Sequence, residues 1–230
     1  MRLIYQNGQK NNDILFSPGY QWGITKYLAV HHAGGLGSNE FADTSFLTSL
    51  NINDAHRTRF AMQSKYIPNG WGGYNLFIEK DGKIVQFKAI GEETAAQKGW
   101  NFNGICVSVC LAGNFVKQNQ YTTTNFINTP TQAQVDSLIW LKERLPKIPI
   151  ANVNPHRFYQ STRCYGDLPE DWARKLWVAQ DAPRVENNEL LAQLTLLHKL
   201  LLQYIKLLDI LKPKRTGEVI MDCSQTDPRG

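Results

Sequence analysis

Apolar residues come in short, nearly unbroken runs, separated by polar stretches whose apolar positions recur at helical spacing. "YLAVHH", residues 27–32, is an apolar run ending in two histidines, as a buried strand does when it delivers side chains to its C-terminal edge. "GGLGSN" follows at once, which puts His31 and His32 at a strand-to-loop junction. "YNLFIEKDGKIVQFKAI" predicts two strands joined at "KDGK", because Asp-Gly between β-rich runs favours a hairpin. "GICVSVCLAGNF" is another continuous run, the pattern of a strand covered on both faces.

Between these runs the spacing turns helical. "NDAHRTRFAMQSK" predicts an amphipathic helix opened by Asn53 or Asp54. Thr129 or Thr131, with Gln132 or Gln134 three residues on, forms a capping-box signature before "VDSLIWLKERL". That helix should put Val135, Leu138, Ile139 and Leu141 or Leu145 on one face. "IPIANVNPH" then predicts a short strand, and "LPEDWARKLW" a helix with Pro169 near its start. Strands alternating with helices over residues 1–180 predict an α/β domain, a mixed central β-sheet flanked by helices.

Past "APRVENN" the composition shifts to "ELLAQLTLLHKLLLQYIKLLDILK", so residues 181–230 form a separate tail. Leu190, Leu194, Leu197, Leu201, Tyr204, Leu208 and Leu211 make a heptad series, with Leu196, Leu200, Leu207 and Ile210 as a second apolar line beside it. An amphipathic helix that self-associates over residues 187–212, as a homo-oligomer, is the first expectation; packing on the chain's own domain and contact with a membrane or wall are the alternatives. Gln193, His198, Lys199, Gln203, Lys206 and Asp209 interrupt the stretch, which argues against a transmembrane segment.

Composition adds little to this division. A net charge of +5 favours an anionic partner, but no zinc-finger, homeodomain or RNP-type motif appears, so nucleic acid is not expected. Four cysteines, Cys106, Cys110, Cys164 and Cys223, do not form a small-scaffold framework in a chain of 230 residues, and a reduced chain is expected. Cys106 and Cys110, on one face of a strand, read as small buried hydrophobes. The opening "MRLIYQNGQKNND" carries an apolar run too short for a secretory signal peptide, so a cytoplasmic location in the producing cell is expected.

The chemistry concentrates in "NPHRFYQSTRCYG", where His156 and Cys164 sit in a loop-like run. Zinc prefers imidazole nitrogen and thiolate sulfur, and a catalytic zinc uses three protein ligands with a fourth position left to water. A third ligand must come from elsewhere. Among the five histidines, His31 or His32 at the strand end is the obvious donor, since His56 lies in a helix beside Arg57 and His198 in the tail. His32 should face the opposite side of the strand from His31, in a core or supporting role.

The succession of "AVHH", "GGYNLFIEKDGKIVQ", "GICVSVCLAGNF", "TPTQAQVDSLIWL" and "NPHRFYQSTRCYG" resembles the type-2 N-acetylmuramoyl-L-alanine amidases, which include phage endolysins and animal peptidoglycan recognition proteins. The resemblance covers residues from about 20 to 180. It implies a zinc site of His31, His156 and Cys164, with Tyr74 of "GYN" facing the metal's water and Thr162 at a position that is Thr in recognition-protein amidases and Lys in some phage enzymes. It further implies zinc-dependent hydrolysis of the amide between N-acetylmuramic acid and L-alanine in peptidoglycan, by a phage or prophage endolysin in host lysis. A non-catalytic peptidoglycan-binding recognition module is the alternative.

Two imidazoles and one thiolate would leave Zn²⁺ at net +1 with an open position, able to polarise an amide carbonyl and lower the pKa of its water towards about 7. Tyr74 and Thr162 would then donate hydrogen bonds to the oxyanion or position the water. No acidic residue falls on a general-base position; Tyr74 is the first candidate for moving the proton to the leaving amine, and a zinc-bound hydroxide is the alternative. Two departures stand out. "TAAQKGWN" has Ala96 where many members carry His, and Tyr165 follows Cys164 where the family usually has Pro.

Overall fold

The computed structural model describes residues 1–6, 9–21, 23–34, 43–97, 100–116, 129–178, 195–201, 203 and 204. The chain divides into two compact units, Met1–Ala182 and Pro183–Gly230. Strands of the first unit are β1 (Arg2–Gln6), β2 (Gln9–Lys10), β3 (Tyr27–His32), β4 (Leu76–Ile78), β5 (Ile84–Gln86), β6 (Cys106–Leu111) and β7 (Val153–Pro155). Helices are α1 (Ser49–Phe60), α2 (Trp100–Asn103), α3 (Gln132–Lys142) and α4 (Trp172–Val178). Among the described residues the strands form one mixed sheet in the order β2-β1-β5-β4-β6-β3-β7. β3 runs parallel to β6 and β7, and β4 parallel to β6, while β1, β2, β4 and β5 meet antiparallel. This is the α/β architecture expected, a mixed sheet flanked by helices.

The continuous apolar runs at β3 and β6 are explained by burial on both faces. Leu28 and Val30 of β3, with Val107, Val109 and Leu111 of β6, pack on Leu138 and Leu141 of α3 and on Ala173 and Trp177 of α4. Cys110 and Phe77 face the other way, in a smaller cluster with Ile52 of α1, Val85 and Phe87. Each fully buried aliphatic side chain here contributes about 1.5–3 kcal/mol. His31 is register-paired with Cys110 and shares its face, so the smaller cluster forms the floor under the site.

Three local expectations are corrected. α1 begins at Ser49, not at Asn53 or Asp54, because Thr48 is its cap: Thr48 Oγ1 accepts from Asn51 N, and Asn51 Oδ1 accepts from Thr48 N at 3.0 Å. An asparagine closes the box there, and the helix start is further held by Glu79, whose carboxylate accepts from Ser49 N and Oγ at 2.9 and 2.7 Å. α3 takes the Thr131–Gln134 box, but its buried face is Gln134, Ser137, Leu138 and Leu141, with Val135 and Ile139 only half-buried. Two polar side chains are admitted because Gln134 donates to Ile78 O and Ala112 O, and Ser137 to Gly82 O, satisfying carbonyls at strand and turn ends. The run "IPIANVNPH" is a strand only over β7, preceded by a 3₁₀ turn at Ile150–Asn152.

β1 and β2 extend the sheet where no strand was expected. Only Ile4 of β1 is buried, so an edge pair of this kind leaves little alternation to read.

In the second unit, residues 195–201 are helical and Leu196, Leu197, Leu200, Leu201 and Tyr204 are exposed. The remaining heptad positions, Leu190, Leu194, Leu208 and Leu211, lie outside the described residues, as do Leu207, Ile210, Cys223 and most of "GGLGSN". No helix of the described residues is long and apolar enough to cross a membrane.

Candidate active site

Parallel strands bring their carboxyl ends to one side of the sheet, the usual place for a ligand crevice in open α/β sheets. His31 is the penultimate residue of β3, and His156 follows directly on β7, its neighbour in the sheet. The two rings stand 4.2 Å apart between centroids. Cys164 returns from the loop after a 3₁₀ turn at His156–Phe158 and puts Sγ 3.7 Å from His31 Nδ1. One nitrogen of each histidine and the sulfur lie within 4.8 Å of one another.

This donor set suits zinc. Bonds of about 2.0–2.3 Å in tetrahedral geometry hold ligand atoms roughly 3.4–3.7 Å apart, so small side-chain rotations close the trio. His156 is buried, and neither of its ring nitrogens has a hydrogen-bond partner. Buried polar atoms are rarely left so, unless a ligand or ion completes them. Burial holds the His156 pKa down to about 4, and burial with the nearby His156 and His32 holds His31 lower than its usual value. Both imidazoles are therefore neutral at pH 7, with lone pairs to donate. Burial pushes the Cys164 thiol up to about 12, against the His32 backbone and Arg157, so it becomes a ligand only where a cation replaces its proton.

A cleft of about 300 Å³ opens above the trio, lined by His32, Tyr74, Asn114, His156, Thr162 and Cys164 among others. Tyr74 precedes β4, and its ring lies 5.0 Å from that of His31. Burial, then the neighbouring Cys110 and Cys164, push its phenol well above its ordinary range. Held protonated, Tyr74 is a hydrogen-bond donor at neutral pH and not a base. Thr162 Oγ1 accepts from Cys164 N at 3.3 Å, which holds its hydroxyl against the Cys164 backbone. Four of the five residues singled out from the sequence, Tyr74, His156, Thr162 and Cys164, thus line one cleft, and the fifth, buried His31, meets three of them through its ring. Two other cavities, one beside Lys88 and Glu92 and one beside Leu145 and Trp177, hold no converging metal-ligand group among the described residues.

The ligand loop is fastened by its backbone. Arg157 N donates to Cys164 O at 3.1 Å, and Asp167 N to Phe115 O at 2.8 Å. His32 N donates to Cys164 Sγ, while the His32 ring faces away and accepts from Phe115 N at Nδ1. The Cys164–Tyr165 peptide is cis. Tyr165 itself is fully buried, its hydroxyl donating to Pro169 O at 2.9 Å.

Supporting residues escaped the sequence reading. His56, set aside as a helical residue beside Arg57, accepts from Gly73 N at 2.7 Å and packs its ring 5.2 Å from Tyr74. Gln97 lies behind His31, with its amide nitrogen 3.2 Å from Nε2. Its only signal was adjacency to Ala96, where the chain departs from the motif.

A family model described as N-acetylmuramoyl-L-alanine amidase matches residues 21–167. The chain belongs to this family. Among solved structures, the chain is similar to N-acetylmuramoyl-L-alanine amidase LysC from Clostridium intestinale URNW, at 19% identity and TM-score 0.49, covering 74% of this chain and 99% of that one. It is similar also to the Ph2119 endolysin from Thermus scotoductus MAT2119 bacteriophage Ph2119, at 18% identity and TM-score 0.45, over 68% and 92%. Drosophila PGRP-LB is similar at 18% identity and TM-score 0.43, over 76% and 89%. No curated protein matches the chain.

Buried histidines make the metal-free protein acid-sensitive. Burial lowers His32 and His56 to about 4, from a usual value near 6.5. Between those values the unfolded chain binds more protons than the folded one, so stability is present above pH 6.5 and is lost as pH falls towards 4. The loss expected from pH 7 to pH 5 is on the order of 2 kcal/mol for each of these two residues. Urea unfolding of the metal-free protein at the two pH values checks this; equal midpoints would count against it.

Proposed function

We propose that the protein is a zinc-dependent amidase that cleaves the bond between the lactyl group of N-acetylmuramic acid and the L-alanine of the peptidoglycan stem. The convergence of His31, His156 and Cys164, with both buried nitrogens of His156 lacking a hydrogen-bond partner, carries this reading. Zinc bound there would supply Lewis-acid polarisation of the amide carbonyl and an activated water. In this reading Tyr74 donates its phenolic hydrogen to the developing oxyanion. Thr162 orients the attacking water or the carbonyl from beside Cys164. The net charge of +5 suits a wall with acidic polymers, and host lysis by a phage or prophage is the setting we assign to the enzyme.

Isolated sacculi incubated with the purified protein should yield new L-alanine amino termini. Release should stop on chelation and resume when zinc is restored. Tyr74→Phe is expected to keep its zinc and lose roughly 10²-fold in turnover, as loss of one oxyanion donor does. Binding of wall fragments with no new termini, despite stoichiometric zinc, would support the recognition-module reading instead. Retention of Cys164 favours cleavage, because non-catalytic members of the family commonly lack it.

For the tail we propose self-association, supported by the exposed Leu196, Leu197, Leu200, Leu201 and Tyr204. Linked copies would gain avidity for the wall without new contacts. Sedimentation should give an oligomer for the full chain and a monomer for residues 1–182; monomers in both would overturn the proposal.

A further inference from the structure

His31 is the most deeply buried of the three metal-ligand candidates, and its second nitrogen is held by Gln97. The Gln97 amide nitrogen lies 3.2 Å from His31 Nε2 and donates to Ser108 Oγ at 2.8 Å. Gln97 is fixed in turn by Asn103: its N–H donates to Asn103 Oδ1 at 2.9 Å, and its carbonyl accepts from Asn103 Nδ2 at 3.0 Å. Thr94 Oγ1 is 3.5 Å from both Gln97 Oε1 and Ser108 Oγ. Thr94, Gln97, Asn103 and Ser108 are all buried, so this is a closed polar wall behind the ring.

A neutral imidazole carries one N–H and one lone pair, and the partner of one nitrogen sets the role of the other. With the Gln97 N–H aimed at Nε2, that nitrogen accepts and the proton sits on Nδ1, facing Cys164 Sγ at 3.7 Å. Nδ1 cannot then donate to a metal. The oxygen and nitrogen of a carboxamide are nearly equal in shape, and half a turn exchanges them. Gln97 Oε1 would then accept from Nε2–H and free the Nδ1 lone pair towards the cleft. The Ser108 hydroxyl would turn to donate to Oε1, and Thr94 Oγ1 would accept from the amide nitrogen. Because hydroxyls both donate and accept, Ser108 and Thr94 can follow the carboxamide in either orientation.

We propose that Gln97 is a positioning residue whose carboxamide turns over to set the tautomer of His31, making Nδ1 the donor when zinc binds. The proposal rests on the zinc reading above. It assigns a task to the segment where the chain departs from the family motif around Ala96.

Gln97→Glu and Gln97→Met test it. A carboxylate can only accept, so His31 in metal-free Gln97→Glu should already carry its proton on Nε2, with zinc affinity at or above that of the parent. Methionine offers neither role, and zinc affinity should fall roughly 10–100-fold, the usual cost of losing a partner of a metal-bound histidine. Long-range ¹H–¹⁵N spectra of the parent should show the His31 proton on Nδ1 without zinc and on Nε2 with it. The same His31 tautomer in all three metal-free proteins, or equal loss of affinity in both variants, would overturn the proposal. If the parent itself takes up no zinc, the zinc reading fails, while the metal-free spectra still judge Gln97. Should Gln97→Met not fold, Gln97→Glu against the parent decides.

Discussion

Cys164→Ser is expected to lose stoichiometric zinc and at least roughly 10³-fold in amidase turnover. A ligand acts on the metal directly, so its loss should exceed the roughly 10–100-fold in affinity that removing an outer hydrogen bond costs. Polarisation of the carbonyl is worth several kcal/mol, and about 4 kcal/mol corresponds to three orders of magnitude in rate. Serine also fails as a substitute on chemical grounds, since zinc takes a thiolate readily whereas a hydroxyl stays protonated beside neutral imidazoles. Folding should survive: the sulfur's contacts within the protein are long ones, to His31 Nδ1 and His32 O at 3.7 Å and from His32 N at 3.4 Å. Metal analysis, release of L-alanine amino termini and thermal melting of the metal-free protein check the three parts. A serine variant with full zinc and parental turnover would sink the assignment of Cys164.

The second large effect is expected two residues on, at Gly166. Its φ is +71°, and a Cβ there would meet the carbonyl carbon of Phe115 at 2.2 Å, its oxygen at 2.4 Å and Val116 N at 2.7 Å. These are backbone atoms and cannot rotate aside. Gly166→Ala combines a left-handed conformation, costing about 1–2 kcal/mol, with overpacking against main chain, about 1–3 kcal/mol. Together they predict a loss of about 2–5 kcal/mol and a fall in melting temperature of roughly 10 °C. Because Gly166 N donates to Arg163 O and Asp167 N to Phe115 O, the strain falls on the loop that carries Cys164. Zinc affinity should drop with stability. Urea unfolding within about 1 kcal/mol of the parent would mean that the loop does not rest on Phe115 as described.

Both effects belong to "NPHRFYQSTRCYG", and the segment shows what could be read from the chain. Its histidine and cysteine announced a possible metal site by residue type alone. Nothing in its spacing named the partner, because His31 lies on another strand and is brought near through the β3–β7 pairing. His56, Gln97 and Asn103 were illegible for a similar reason. Each is a polar residue of ordinary type, and its task depends on what faces it across the fold.

The secondary elements divide the same way. β3, the β4–β5 hairpin, β6 and the capped α3 were legible because burial on two faces or a local turn leaves its mark on consecutive residues. The start of α1 was not, since Asn51 closes its capping box and Glu79 of the hairpin anchors it. The edge strands β1 and β2 bury only Ile4, too little to print a period.

Local patterning and residue chemistry therefore established the α/β class, the order of the main elements and the inventory of competent zinc donors. These depend on neighbours within a turn or a strand. Chain closure decided the rest: which donors face one cleft, that both imidazoles lose enough water to stay neutral, and that a glutamine backs His31. Desolvation and hydrogen-bond partnership are properties of a three-dimensional surrounding, and residues 66 to 133 positions apart supply it here.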